Sequence, residues 1–398
     1  MLIKRRSFIK TSALASASIL TPQLWANQLL RTPGKGEKVL VVLQLTGAND
    51  GLNTVIPYRN DVYYKSRPGI AIPKSEALGI NDDYALHPEL KNLQKLYGSG
   101  ELAIINGVGY PENSRSHFRS MDIWQSASEA NEYLSSGWIG RYLDEINKSG
   151  SRPTKALEID DLMSLALKGD SNFGLAVKDP KKLFNATQSP FIKKLARQAH
   201  EHEHEHTVDY LYQTLTQTVN SAEYIFQEAK VSGNNATYPS NELGQGLKTI
   251  ASLINSDIDT SVYYISHNGF DTHNDQLNRQ ARLFRQMDEA LGAFVEDLKS
   301  KGRFEDVVIM TFSEFGRRVV QNGSNGTDHG AASCMFMIGG GLRNAGIINE
   351  MPLLTDLYQG DLKYSVDFRQ VYATILDHWL GVDHGKILGG RYELMGFV

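Results

Sequence analysis

The sequence predicts an α/β fold, a three-layer αβα sandwich around a mostly parallel central sheet. Short apolar, β-branched segments alternate with amphipathic helical segments along the chain, which is the pattern of strands covered by helices on both faces. Several of these strand segments also end in loops rich in Gly, Asn and Asp. In open sheets of this kind, ligands bind beyond the carboxyl ends of the strands.

The predicted strands are short apolar segments that stop at polar loops. The first is Val39–Leu45 in "EKVLVVLQLTGANDG", and the second is "ELAIINGVGY". The segments "KALEID", "TSVYYIS", Val307–Met310 and "CMFMIGGG" follow in chain order. Apolar runs of about four to eight residues with β-branched side chains favour buried strands over helices.

The predicted helices have apolar residues three and four positions apart. They are "ALHPELKNLQKLY", "SHFRSMDIWQSA", the long "DQLNRQARLFRQMDEALGAFVEDLKSKG" and "DFRQVYATILDHWLG", which Gly381 is expected to end. The segment of about 186–245 is polar, helix-prone and without strand signals. We interpret it as a helical insertion into a single domain that spans residues 36–398.

Composition excludes some classes of function. The net charge is −4 and no basic stripe follows the N-terminal segment, so we expect no nucleic-acid partner. Cys334 is the only cysteine and cannot form an internal disulfide. It lies in an apolar run, so we expect a small core residue rather than a nucleophile.

Residues 1–26 have the order of parts found in an export signal. The basic "KRRSFIK" precedes the apolar run Ala13–Leu20, and Ala26 offers a small residue for cleavage. Arg5 and Arg6 resemble a twin-arginine signal. The apolar run is shorter than the ~20 residues needed to span a bilayer. We therefore predict a periplasmic or otherwise exported protein that uses the twin-arginine machinery and has no stable membrane span.

Metal-capable side chains follow several predicted strands. Carboxylates with neutral imidazoles are the usual ligands of zinc or manganese, whereas carboxylates alone also suit calcium or magnesium. Each residue alone has an ordinary alternative, as a turn acid, a cap or a structural histidine. The candidate metal ligands are Asp50, Asp271, His273, Glu314, Asp328 and His329.

Ser116 is the best candidate for a nucleophile. It directly precedes a predicted helix, whose first backbone N–H groups favour an anion beside it. An N-cap role is the alternative for Ser116, and Ser114 is the competing candidate. His117 could act as a general acid or base, or as a partner of another site residue. A tetrahedral oxyanion could be bound by the guanidinium groups of Arg115, Arg119 and Arg317.

Longer segments resemble known families. The segments "MDEALGAFVEDLKSKGRFEDVVIMTFSEFGR", "GTDHGAASCMFMIGGG" and "VDFRQVYATILDHWLG" resemble parts of the alkaline phosphatase and sulfatase superfamily. Over nearly the whole chain, "GANDGLNTVIPY", "ALHPEL", "SRSHF", "GFDTHNDQ", "TFSEFGRR" and "GTDHG" more closely resemble the exported family of unknown function numbered 1501. The resemblance implies a metal-dependent hydrolase of phosphate or sulfate esters, on a small molecule or a polymer. A non-catalytic metal- or ligand-binding protein of the same fold is the alternative.

The same resemblance implies up to two divalent metal ions. One would be held by Asp50, Ser116 and Glu314, and the other by Asp271, His273 and His329. Phe315 stands where the superfamily usually has a histidine, which leaves the first site short of a ligand. No Cys-x-Pro-x-Arg segment occurs, so a formylglycine sulfatase is not supported. The run "HEHEHEH", His200–His206, is expected to be a solvated helix face with adventitious metal affinity.

Overall fold

A mostly parallel sheet forms the centre of the protein. The computed structural model describes residues 37–147, 153–198, 206–231 and 234–398. Among these residues the main sheet has nine strands: β1 (Val39–Thr46), β2 (Leu102–Gly109), β3 (Ala156–Glu158), β4 (Leu175–Ala176), β5 (Val262–Asn268), β6 (Val307–Phe312), β7 (Ser333–Ile338), β8 (Gly346–Ile347) and β9 (Val366–Asp367). Their order is β8-β2-β7-β6-β1-β5-β3-β4, with β9 beside β2. Every pairing is parallel except the two made by β7.

Helices cover both faces of the sheet. They are α1 (Gly51–Thr54), α2 (Asp61–Ser66), α3 (Lys91–Gly98), α4 (His117–Ser126), α5 (Trp138–Ile146), α6 (Pro180–Thr187), α7 (Pro190–Gln198), α8 (His206–Val231), α9 (Glu242–Asn255), α10 (Gln276–Ser300), α11 (Phe368–Thr374) and α12 (His384–Leu388). A π-helical turn, Ile375–Trp379, continues α11. Two small sheets lie outside the main one, formed by Val55–Ile56, Leu78–Gly79 and Ala85–Leu86, and by Leu357–Tyr358 with Asp361–Leu362.

The side chains of β1 show why both faces need a layer of helices. Val41 and Leu43 join one buried core with apolar residues of α3, α9 and α10. Leu40 and Val42 point the other way and join a core with α4, α5 and α11. Because successive side chains of a strand alternate between faces, a continuous apolar strand must be buried on both. The predicted α/β sandwich class is confirmed.

The helix predicted from "ALHPELKNLQKLY" is shorter than expected. Leu86 belongs to a short strand, and the helix begins only at Lys91. Pro88 explains the difference, because the residue before a proline is disfavoured in the α region. His87 is buried against the ring of Phe284, and burial lowers its pKa to about 4. It is a packed structural residue.

The range predicted as an insertion, about 186–245, includes α7 and α8 in the part of the chain that the structure describes. Ile225 of α8 and Leu243 of α9 are buried in the main core, so helices of this range pack against the domain. The side chains of the His200–His206 run and the predicted signal 1–26 lie outside the described residues. Among the described helices, none combines the length and apolarity needed to cross a bilayer.

Candidate metal centre

Four loops meet at one rim of the sheet. The strands β1, β2, β5 and β6 end there, and the reversed strand β7 begins there. Gly47, after β1, has φ +113°, and a Cβ at this position would lie 2.5 Å from the backbone nitrogen of Asp271. A Cβ on Gly326 would lie 2.3 Å from the carbonyl carbon of His273. Glycine is therefore required at both positions for the loops to approach so closely.

Arg317 ties these loops together from below. Its side chain has no exposed surface, and it donates hydrogen bonds to the carbonyl oxygens of Gly47, Ala48 and Thr327 at 2.6, 2.7 and 2.9 Å. Nη2 also donates to Oδ1 of Asp271 at 2.7 Å. The predicted role of Arg317 as an oxyanion clamp is therefore wrong, because its guanidinium is buried and already engaged. It orients Asp271 instead.

Three imidazoles converge on the carboxylate of Asp271. Its Oδ1 lies 3.1 Å from Nε2 of His273, 3.4 Å from Nε2 of His329 and 3.8 Å from Nε2 of His117. The Nε2 atom of His329 is also 3.1 Å from that of His117 and 3.0 Å from that of His273. The structure thus brings together the predicted ligands Asp271, His273 and His329, and adds His117 to them.

The opposite nitrogen of each ring faces an oxygen acceptor. His329 Nδ1 lies 3.0 Å from the carbonyl oxygen of Arg115, and His117 Nδ1 lies 2.7 Å from Oε1 of Glu314. His273 Nδ1 lies 3.4 Å from Oδ1 of Asp328. A carbonyl or carboxylate oxygen can only accept, so the contacts of His117 and His329 assign the proton of each neutral ring to Nδ1. The Nε2 atom of each of these two rings then carries a lone pair. His273 has a carboxylate oxygen beside each of its nitrogens, at 3.1 Å from Nε2 and 3.4 Å from Nδ1.

Two Nε2 lone pairs about 3 Å apart repel unless a proton or a metal ion lies between them. Donors about 2.0–2.1 Å from a zinc ion in tetrahedral geometry are roughly 3.3 Å apart, and the donor spacings given above are 3.0–3.8 Å. The ligand atoms of His117, Asp271 and His329 all lie within 4.8 Å of one another, and His273 joins them through its contacts with Asp271 and His329. Protonation of the His329 ring is disfavoured. Burial lowers the pKa of this imidazole, and the neighbouring charge of Arg317 lowers it further. The donor set therefore fits a single divalent transition metal.

Asp271 is held in its anionic form. Burial alone would raise its pKa, but the hydrogen bond from Arg317 and the charge of that guanidinium outweigh burial and lower it. The side chains of Asp271 and His273 are 48% and 41% exposed. The donors are therefore reachable from solvent, and an ion or a substrate has a path to them.

Two predicted ligands, Glu314 and Asp328, instead lie behind the imidazoles. Glu314 is fully buried, and its Oε1 accepts from the backbone nitrogen of Gly47 at 2.9 Å as well as contacting His117. Asp328 faces His273 and accepts from Nδ2 of Asn322 at 3.2 Å. Carboxylates in such positions orient a ligating histidine and raise its basicity. They were expected to bind the ion directly, and the structure corrects this.

The structure also does not bring Asp50 into the cluster. Its two oxygens are 2.5 and 3.1 Å from the Nη atoms of Arg67, which is fully buried. Oδ1 accepts from the backbone nitrogen of Leu52, and Oδ2 accepts from Nε2 of Gln276. With these partners the carboxylate has no free oxygen to offer an ion, and it caps α1.

Ser116 is exposed at the start of α4, directly before His117. It occupies the N-cap position but makes no side-chain capping hydrogen bond, so the alternative of a simple N-cap is not supported. Oγ of Ser114, the competing candidate, accepts from the backbone nitrogen of Ser116 at 3.2 Å. Arg115 is paired with Asp361 at 2.5 Å, and so its guanidinium is engaged.

Phe315 closes one side of the centre. Its ring centroid lies 4.9 Å from those of both His117 and His329. An apolar ring here keeps water away from that side of the imidazoles and cannot bind an ion.

Arg67 and Gln276, which hydrogen-bond to Asp50, could not be identified from the sequence. Arg67 lies in an ordinary "SRPG" loop, and Gln276 opens a helix of ordinary composition. No local pattern marks either one, because their partners are distant in sequence.

A second group of acids around a histidine, Asp377, Asp383 and His384, does not offer free donors. His384 Nε2 accepts from the backbone nitrogen of Tyr392 at 3.2 Å, and Nδ1 faces Asp377 Oδ1 at 3.0 Å. Asp383 accepts from Arg391 at 2.7 Å. The group is a network of hydrogen bonds and ion pairs near the C-terminus.

Comparison with known proteins gives one family match. Residues 37–393 match the family described as protein of unknown function (DUF1501), which confirms the resemblance predicted from the sequence. No curated protein matches the chain.

Several solved structures resemble the chain at low identity. The lipoteichoic acid synthase LtaP from Listeria monocytogenes is 12% identical, with 90% of this chain and 77% of that chain covered and a TM-score of 0.41. The phosphonate monoester hydrolase SpPMH from Silicibacter pomeroyi is 8% identical, with 89% and 77% covered and a TM-score of 0.38. A protein in the alkaline phosphatase superfamily from Vibrio parahaemolyticus is 10% identical, with 77% and 61% covered and a TM-score of 0.30. With values this low, nothing that those proteins act on is carried over to this chain.

Proposed function

The chain belongs to the DUF1501 family, and we propose that it is an exported metal-dependent hydrolase of the alkaline phosphatase and sulfatase type, acting on a phosphate or sulfate ester. The observation that carries this proposal is the convergence of three imidazole Nε2 atoms and one carboxylate oxygen. The rings of His117 and His329 direct Nδ1 to an oxygen acceptor, which leaves the Nε2 lone pair of each ring free to bind a cation.

We infer one ion rather than two. The residues that the family resemblance assigns to a second site are engaged elsewhere, since Asp50 is paired with Arg67 and Glu314 with His117. Phe315 fills the place of a further ligand. Three imidazole nitrogens and one carboxylate oxygen suit zinc best, then manganese, and they disfavour calcium and magnesium, which prefer oxygen ligands. The ligands would be His117, Asp271, His273 and His329.

A divalent ion held here supplies Lewis-acid activation of an ester and stabilises developing negative charge. The nucleophile and further groups that bind an anion would come from the protein itself. Ser116 stands beside the centre because it directly precedes His117, and its hydroxyl is exposed and not used as a helix cap. We assign it as the nucleophile. The backbone N–H groups at the start of α4 favour an anionic group beside it.

A cavity of about 780 Å³ opens at the ends of β3 and β5, and none of the proposed ligands lines it. Its lining includes Lys178, Lys181 and Glu242, so charges of both signs border the cavity. The proposed reaction is therefore not assigned to this cavity.

A specific observation favours a second candidate function, a metal-binding protein without turnover. The arginines considered for binding an anionic ester are engaged with other groups. Arg317 is buried, Arg115 is paired with Asp361, and Arg119 donates to the carbonyl oxygens of residues 129, 130 and 132. An ester anion would therefore depend on the ion and on backbone N–H groups.

The two functions are separated by one comparison on exported, metal-replete protein. Elemental analysis gives the metal content, and chromogenic phosphate and sulfate monoesters report hydrolysis. We expect Ser116→Ala to keep its metal and to lose more than about 1,000-fold in rate, as removal of a nucleophile does in other hydrolases. The matched control Ser114→Ala should retain most activity. Full metal content with no serine-dependent hydrolysis would establish the non-catalytic alternative.

Export can be tested independently of the metal. Replacing both Arg5 and Arg6 by lysine should leave the protein in the cytoplasm if the twin-arginine machinery reads this signal. Cell fractionation measures the distribution, and unchanged export would exclude that route.

A further inference from the structure

We propose that Gln276 is a positioning residue of the metal centre, whose single side-chain amide holds the two ligand-bearing loops at a fixed separation. This inference rests on the proposed metal site, but it concerns residues that do not touch the ion. Gln276 is the first residue of α10 and is fully buried.

The carbonyl oxygen of this amide joins the two loops. Oε1 accepts from Oγ1 of Thr327 at 2.6 Å and lies 3.4 Å from Oγ1 of Thr272. Thr272 stands between Asp271 and His273, and Thr327 stands two residues before His329. Both threonines are buried. One oxygen atom therefore lies directly behind three of the four proposed ligands.

The amide nitrogen is fixed from the opposite side. Nε2 donates to Oδ2 of Asp50, and a carboxylate that is paired with a guanidinium can only accept. The nitrogen must face Asp50, so the oxygen must face the two threonine hydroxyls. The Asp50–Arg67 pair, which binds no ion itself, thus sets the direction in which the amide holds the loops.

Two backbone hydrogen bonds also join the loops. The nitrogen of Thr327 donates to the carbonyl oxygen of Thr272 at 3.3 Å, which is a long bond, and the nitrogen of Gln276 donates to the carbonyl oxygen of Asn325 at 3.0 Å. The shared amide oxygen adds the shorter contact. Loss of a partner behind the metal ligands typically lowers metal affinity about 10–100-fold, and we expect an effect in this range here.

The test measures zinc affinity by competition with a chromophoric chelator, together with the visible absorption of the cobalt(II)-substituted protein. Gln276→Met and Thr327→Val should each bind zinc about 10–100-fold more weakly and shift the cobalt bands, because the donors are no longer held at the same separation. Thr327→Ser keeps the hydroxyl and should restore affinity to within about threefold of wild type.

A matched control separates positioning from a loss of stability. Thr260 is also buried and donates from Oγ1 to the carbonyl oxygen of Thr154, but it lies before β5, at the opposite end of the strand from the ligands. Thr260→Val should destabilise the fold and leave zinc affinity and the cobalt spectrum unchanged.

Wild-type zinc affinity and an unchanged cobalt spectrum in both Gln276→Met and Thr327→Val would overturn the positioning role while leaving the proposed metal centre intact. If Gln276→Met does not fold, the Thr327→Val and Thr327→Ser pair decides. A wild-type protein that binds no zinc or cobalt would instead refute the metal centre, and the positioning role with it.

Discussion

Two aspartates lie at the same rim of the sheet and have opposite surroundings. Asp271 Oδ1 faces the Nε2 atoms of three imidazoles. Asp50 is paired with Arg67, and donors from Leu52 and Gln276 complete its shell. Residue type alone does not distinguish them, since both are acids in loops that follow buried strands. The difference shows that the surroundings of an acid, and not its residue type, decide whether it can bind a metal ion.

The two regions also differ in exposure. The side chain of Asp50 is 1% exposed, whereas that of Asp271 is 48% exposed. A buried ion pair is strongly destabilised when one partner is removed, because the other is left as an uncompensated charge. Removal of a partly exposed ligand instead changes what the protein binds. Mutations around Asp271 should therefore change metal binding, whereas mutations of Asp50 or Arg67 should change stability.

The largest effect should follow the loss of one ligand. His329→Ala removes the nitrogen closest to both other imidazoles, and we expect zinc affinity to fall by more than the roughly 100-fold that loss of an outer partner causes. The stability of the metal-free protein should change little. Equilibrium dialysis with elemental analysis measures the bound zinc. His384→Ala is the control from the network near the C-terminus, and it should keep the full metal content.

The next effect concerns the other aspartate. Arg67→Met leaves the carboxylate of Asp50 buried without its cation, and we expect the free energy of unfolding to fall by about 3–5 kcal/mol. Urea denaturation of the metal-free protein measures it. The double variant with Asp50→Asn should recover part of the loss. A change below about 1 kcal/mol would mean that Asp50 is not held as a dry ion pair.

Glu158 extends the comparison to a buried acid without a cationic partner among the described side chains. Burial raises its pKa to about 7, and the hydrogen bonds from Ser164 only partly oppose this. The pKa of Glu158 in the folded protein lies above its ordinary value of 4.5. The contribution of this carboxyl to the free energy of unfolding is therefore complete below pH 4.5 and is lost as the pH rises through about 7. Relative to Glu158→Gln, the wild type should lose about 3 kcal/mol of unfolding free energy across that interval.

Denaturant titrations of wild type and Glu158→Gln at closely spaced pH values measure this difference. A constant difference between pH 4 and 8 would contradict the assigned burial of the carboxyl.

The smallest effect should come from the charge behind His117. Glu314→Gln keeps an oxygen for the Nδ1 proton but removes the negative charge that raises the basicity of the ring, so we expect zinc affinity to fall about 10-fold. Asp328→Asn should weaken binding less, because Asp328 is exposed and its contact with His273 is longer. An equal or larger effect of Asp328→Asn would reverse the assigned importance of the two carboxylates.

Much of the fold could be predicted from local patterns. The apolar runs at Val39 and Val307 and the long amphipathic segment that became α10 are specified by residues close together in sequence. The start of α3 was misplaced because a single proline, Pro88, outweighs an otherwise helical spacing. The location of the site at the strand ends followed from the sheet topology.

The roles within the site were not predictable in the same way. Whether Asp50 binds an ion depends on Arg67, 17 residues away in sequence, and on Gln276, 226 residues away. His117 and Glu314 meet across 197 positions. Such pairings depend on the three-dimensional arrangement of loops, and periodicity or spacing in one sequence does not record them. The same limit applies to Arg317, whose partners Gly47, Asp271 and Thr327 lie in three separate segments of the sequence.

The most direct test is the anomalous diffraction of crystals of zinc-replete protein, collected on both sides of the zinc absorption edge. We predict one strong anomalous peak per chain, surrounded by Nε2 of His117, His273 and His329 and by Oδ1 of Asp271, and no peak at Asp50. A peak between Asp50 and Glu314, or no peak at the imidazole cluster, would contradict the assignment of this rim as a single metal centre.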